Sequence, residues 1–111
     1  MSDLAKKKCI PCEGGIDPYT PQEAQKMMDE LAEGWMLIDD AHLLVREFEF
    51  KDFAEALTFV NKVGAIAEEE AHHPDISFGW GRVSVELTTH AIDGLSENDF
   101  ILAAKMDEIT K

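Results

Sequence analysis

The stretch His72-His73-Pro74-Asp75-Ile76-Ser77-Phe78-Gly79-Trp80-Gly81-Arg82-Val83-Ser84-Val85-Glu86-Leu87-Thr88-Thr89-His90 decides the fold. Ile76, Phe78 and Trp80 alternate with polar or small residues, and so do Val83, Val85, Leu87 and Thr89. A period of two marks half-buried strands. Gly79 and Gly81 flank Trp80, so the joint between the runs is a turn or bulge and the two strands form a hairpin. Upstream, Pro74 ends any helix and biases His73 towards an extended conformation.

Working outward, Asp52-Phe53-Ala54-Glu55 caps and opens a long helix that ends near Ala71. Phe53, Leu57, Val60, Gly64, Ala67 and Ala71 fall at spacings of four and three and predict its buried stripe. Before it, Trp35–Ile38, a turn at Asp39-Asp40 and the alternating run from His42 to Phe50 read as another hairpin. Leu44, Phe48 and Phe50 share one face of that run, and Glu47 and Glu49 the other. Thr20-Pro21-Gln22-Glu23 is a capping box with proline at the first helical position. It starts a helix predicted to run to Glu33 and stop at Gly34, burying Met27, Met28, Leu31 and Ala32. Ser96-Glu97-Asn98-Asp99 caps a last helix with Leu102, Met106 and Ile109 inward. The order α-β-β-α-β-β-α predicts the α+β class: a four-stranded antiparallel sheet with helices packed on one face. Residues 1–19 hold no hydrophobic period and read as a flexible tail, leaving residues 20–111 as a single domain.

Composition limits the function. The chain of 111 residues fits one domain with one modest core. Ten basic residues against 23 acidic ones give a net charge of −13, which repels phosphate backbones and anionic lipid. Neither nucleic acid nor a membrane is an expected partner. No run of apolar residues is long enough to span a bilayer, and Lys6-Lys7-Lys8 has no apolar stretch behind it to make a secretory signal. Two cysteines are too few for a disulfide scaffold. The expectation is a small acidic protein of the cytoplasm.

Chemistry concentrates where the second hairpin begins and ends. If its strands pair, His90 returns beside His72 and His73, and three imidazoles at one corner form a candidate acid–base site. The bland alternative for His72-His73 is a polar helix end answering the helix dipole. Asp99 is first a capping residue, though its carboxylate could orient an imidazole; Glu68, one turn before His72, is placed to touch it. A zinc site from the three histidines with Glu68 or Asp99 is a weaker reading, because adjacent histidines rarely aim at one ion. Cys9-Ile10-Pro11-Cys12 is half of a zinc knuckle, which could pair in a dimer, form a local disulfide or do nothing. No phosphate-binding glycine loop is present, since Gly79-Trp80-Gly81 is not followed by a helix.

The spacing Glu68, three residues, His72-His73-Pro74, five residues, Trp80, nine residues, His90, eight residues, Asp99 resembles the signature of the pterin-4a-carbinolamine dehydratases. Phe59-Val60-Asn61-Lys62-Val63 and Gly94-Leu95-Ser96 agree with it, and the resemblance covers about Trp35 to Ile109. It implies dehydration of 4a-hydroxytetrahydropterin to quinonoid dihydropterin in pterin recycling, a hydro-lyase reaction without cofactor or metal. It implies His72 and His90 as the acid–base pair and His73 on the hydroxyl side, with Asp99 orienting His90 or its neighbours and Glu68 supporting His72. Backbone around Pro74 and around Thr88-Thr89 would read the pterin edge, and Phe78 or Trp80 would give an apolar wall. Ala71 stands where some members carry an acidic residue. The resemblance also implies a homodimer or homotetramer. The competing expectations are a module that keeps the fold without turnover, or a metal-binding protein using Cys9, Cys12 and histidines.

Overall fold

The computed structural model describes residues 4–10 and 16–110. Its elements are helix α1 (Pro21–Met27), strands β1 (Met36–Ile38) and β2 (Leu43–Glu49), helix α2 (Phe53–Glu70), strands β3 (Asp75–Gly79) and β4 (Arg82–Leu87), and helix α3 (Glu97–Ile109). The expected α+β order is present. The four strands form one antiparallel sheet in the order β1-β2-β4-β3, so the two hairpins join through their inner strands. Register puts Leu44 opposite Leu87 and Phe48 opposite Val83, which gathers the apolar residues on the face that the helices cover. Gly81 closes the second hairpin at φ +69°, where a side chain would meet the Phe50 carbonyl oxygen at 2.9 Å. Among the described residues, no helix is long and apolar enough to cross a membrane.

Three sequence expectations are corrected. Helix α1 stops at Met27, followed by a 3-10 turn over Met28–Glu30, well short of Glu33. The chain leaves early because Asp107 draws in the Ala32 amide at 2.9 Å. Ala24 is fully buried, while Ala32 is exposed.

Helix α2 buries Ala56, Phe59, Val63 and Ala67, and leaves Phe53 and Leu57 44% and 39% exposed. Two neighbouring apolar stripes share the same helical spacing, and periodicity does not choose between them. Contact does: the Phe59 ring lies 4.6 Å from Phe48 and 5.0 Å from Phe50.

Helix α3 is buried on nearly every side, from Asn98 to Ala104 and again at Met106 and Asp107, rather than along one stripe. The far side is covered by the chain's own beginning. Residues Leu4–Lys6 form a 3-10 turn against α3, with Leu4 buried and the Lys105 ammonium donating to the Ala5 carbonyl at 2.7 Å. A helix wrapped on all sides shows no amphipathic pattern.

Asp107 sits near the end of α3 and accepts from three groups: Trp35 Nε1 at 2.8 Å, Arg46 Nη1 at 2.7 Å and the Ala32 amide. The Arg46 guanidinium also lies 4.4 Å from the Phe48 ring centre. This network ties α3 to the first hairpin. Asp107→Ala strands a largely buried guanidinium and an indole N–H, so we expect a loss of about 3 kcal/mol or more in urea denaturation. An unchanged midpoint would mean that the network adds nothing to stability.

Candidate active site

The site is built where three elements end. Helix α2 closes on Ala71, which adopts the left-handed conformation (φ 55°, ψ 35°), and the His72 amide donates back to the Ala67 carbonyl at 3.2 Å. This reversal directs His72 and His73 away from the helix axis and delivers Pro74 to β3. The register Asp75 opposite Glu86 then sets the start of β3 beside the end of β4. Strand β4 ends at Leu87, and Thr89 pairs with Gly94 in an isolated bridge, so the chain turns at His90 into a 3-10 helix, His90–Ile92.

Asp99 organises the centre. Its side chain has no exposed surface. Oδ2 accepts from the Ser96 amide at 3.0 Å, completing the capping box of α3, and from the Thr89 hydroxyl at 2.7 Å. Oδ1 lies 2.6 Å from His72 Nε2, whose side chain is only 12% exposed. Capping and imidazole support were alternatives from sequence; the two carboxylate oxygens divide them. With the proton on Nε2, His72 donates to Asp99, and Nδ1 is the nitrogen that this bond leaves available.

His73 is arranged differently. Its Nε2 lies 2.5 Å from Glu68 Oε2, and both side chains are mostly exposed. Glu68 thus pairs with His73, not with His72 as its helical spacing suggested. The i,i+4 rule holds within a helix, and His72 lies beyond the left-handed turn.

His72, His73 and His90 line one pocket of about 210 Å³, with Thr88 and Thr89 beside them. The Thr88 hydroxyl is engaged by the His42 carbonyl at 2.8 Å. Pro74 follows the pocket's histidines directly into β3. Phe78 and Trp80 lie further along the hairpin and do not line this pocket; Phe78 packs on Phe53 at 5.4 Å, and Trp80 is 76% exposed at the turn. A larger groove of about 810 Å³, lined by Arg46, Phe50, Lys51 and Lys62 among others, holds none of the histidines. The smaller pocket is the candidate because the acid–base groups converge there.

Four lining residues, Ile10, Ala71, Ala91 and Asn98, lie outside the set the sequence predicts for the site. Asn98 was seen as part of a cap, and nothing periodic marks Ile10. Among the described residues, no group of three or more His, Cys, Asp or Glu side chains is placed to hold a metal ion. Cys12 lies outside the described residues; Cys9 is a half-buried free thiol facing the Asn98 carbonyl at 3.6 Å.

The fold and this histidine corner define a pterin dehydratase-like α+β protein. A solved transcriptional coactivator/pterin dehydratase from Brucella melitensis superposes with a TM-score of 0.80 at 34% identity, covering 86% of this chain and all of that one. The chain belongs to the Pterin 4 alpha carbinolamine dehydratase family, whose sequence profile matches residues 17–109. Relatives from Rubrobacter xylanophilus (51% identical, 98% of this chain and all of the relative) and Methylococcus capsulatus (53%, 96% and 92%) carry the pterin-4-alpha-carbinolamine dehydratase name. A pterin dehydratase-like protein described as a RuBisCO assembly factor in the alpha-carboxysome superposes with a TM-score of 0.60 at 26% identity, over 69% of this chain and 89% of that one.

Burial, and then the Glu70 carboxylate, push the Cys9 thiol from its ordinary 9.0 up to about 12. The folded protein keeps this proton where the unfolded chain has lost it. The stability contributed by the neutral thiol is therefore present below pH 9.0 and lost as pH rises from there towards 12. In a Cys12→Ser background, we expect iodoacetamide to label Cys9 far more slowly in the native protein than in urea at about pH 8.5. Equal rates would contradict the burial of this thiol.

Proposed function

We propose that the protein dehydrates 4a-hydroxytetrahydropterin to quinonoid dihydropterin, as a hydro-lyase of pterin cofactor recycling in the cytoplasm. The observation that carries this reading is His72 held by the fully buried Asp99 at a pocket shared with His73 and His90. In the reaction the C4a–O bond breaks as the N5 electron pair forms the C4a=N5 double bond. The oxygen leaves as water after gaining a proton, and N5 gives up its own. Protons balance with one acid and one base, which two imidazoles supply near neutral pH.

In this reading His72 and His90 are the acid–base pair. Asp99 fixes the His72 ring and stabilises the charge acquired when it takes a proton. His73, steadied by Glu68, receives the hydroxyl side. Backbone around Pro74 and Thr88 reads the donor–acceptor edge of the pterin, because the Thr89 amide and carbonyl are already taken by Gly94 and Ile92. Phe78 and Trp80 have no part in the pocket of a single chain. They lie instead with Phe53 and Leu57 among the exposed large apolar residues. That exposure supports assembly as a homodimer or homotetramer. The likeness to a carboxysome assembly factor supports a second reading, a binding module without turnover.

The test is quinonoid formation from enzymatically generated 4a-hydroxytetrahydrobiopterin. His72→Ala and His90→Ala should each lower kcat by about 10²–10⁴-fold, with Asp99→Asn lowering it less and His73→Ala acting partly through KM. A wild-type rate equal to buffer would favour the binding module. Self-association has its own check: Leu57→Glu should lower the mass seen by sedimentation, and an unaltered mass would exclude that face.

A further inference from the structure

We propose that Ile10 is the apolar wall of the histidine pocket and that Asn98 is the residue that positions it. The inference rests on the dehydratase reading of the same pocket and assigns it a contact for the flat face or the ring substituent of the heterocycle. Ile10 lies before the family-matched residues, in a segment that shows no periodicity of its own.

Three observations converge. The pocket lining is polar apart from Ile10, Ala71 and Ala91, so Ile10 is the largest apolar side chain available to a bound ring. Phe78 and Trp80 do not reach it. Ile10 is also 69% exposed. A lone exposed isoleucine is ordinary, but this one is held in place. The Ile10 amide donates to Asn98 Oδ1 at 3.0 Å, and Asn98 Nδ2 donates to the Ile10 carbonyl at 2.6 Å. One buried side-chain amide thus satisfies both main-chain groups of the residue. The preceding Cys9 amide donates to Glu70 Oε1 at 2.7 Å, and buried Leu4 anchors the segment on α3. Fixing backbone next to a solvent-exposed side chain costs conformational entropy. The clamp gains a side chain pre-set over the pocket, which lowers the cost of ordering it on binding.

The experiment uses the full chain with Ile10→Ala, Asn98→Ala and the double variant. It reads kcat and KM for 4a-hydroxytetrahydrobiopterin, and Kd for 7,8-dihydrobiopterin by fluorescence titration. Ile10→Ala should raise KM and Kd about tenfold, with a smaller change in kcat and an unchanged melting temperature. Asn98→Ala should move KM in the same direction, and the double variant should fall short of the product of the two, because both act on one wall. KM and Kd within about twofold of wild type in Ile10→Ala would overturn the inference. So would an Asn98→Ala variant that loses kcat and stability without a change in KM. If the wild type binds dihydrobiopterin but turns nothing over, the dehydratase reading falls and Kd still decides the wall. If it binds no pterin, both fall.

Discussion

A carboxylate without exposed surface must have its oxygens occupied, or the fold loses more than the side chain contributes. Asp99 meets that constraint by drawing the ends of three elements together. The start of α3 supplies the Ser96 amide, the end of β4 supplies Thr89, and the end of α2 supplies His72. Thr89 and Ser96 are themselves in contact through their hydroxyls at 2.8 Å. Each partner is fixed by the need of the others, so the ring of His72 is held by a network, not by a single bond. The pocket is a consequence: where three elements are pinned by one buried acid, their loops converge on its rim.

Helix α3 has a second buried acid near its other end. Asp107 binds Trp35, Arg46 and Ala32, as Asp99 binds the site. The two differ in cost. Asp99 lies in the first turn, where the helix dipole favours a negative charge; Asp107 lies near the last, where the dipole opposes it. Arg46 offsets that opposition at 2.7 Å. The central helix is therefore tied to the first hairpin at one end and to the histidine corner at the other. The N-terminal segment closes its remaining side and carries Ile10, which lines the histidine pocket.

What was legible in the sequence was local. Thr20 with Glu23, Asp52 with Glu55, and Ser96 with Asp99 each announce a helix start and each forms the expected cap. Alternation over Ile76–Phe78 and Val83–Leu87 gives a hairpin, and pairing brings His90 towards His72 and His73. What was not legible depends on contacts distant in sequence. Phe59 rather than Leu57 faces inward because Phe48 and Phe50 lie opposite it. The all-round burial of α3 depends on residues about 100 positions away, as in the bond from Lys105 to Ala5. Glu68 finds His73 because Ala71 turns left-handed, and nothing in an alanine marks a positive φ.

The two neighbouring histidines then have different physical roles. His72 is nearly buried against a buried acid, so its ring is committed to one orientation before anything binds. His73 pairs with Glu68 in solvent, where such a pair is worth about 0–1 kcal/mol. In the proposed reaction, a contact that weak would exchange readily for one with the substrate hydroxyl, whereas the His72–Asp99 contact would not. Proton transfer requires a fixed donor or acceptor geometry, while capture of a small polar substrate tolerates a group that can move. Adjacent positions in the sequence thus stand in opposite environments, because the left-handed turn at Ala71 sends one imidazole into the fold and leaves the other at the surface.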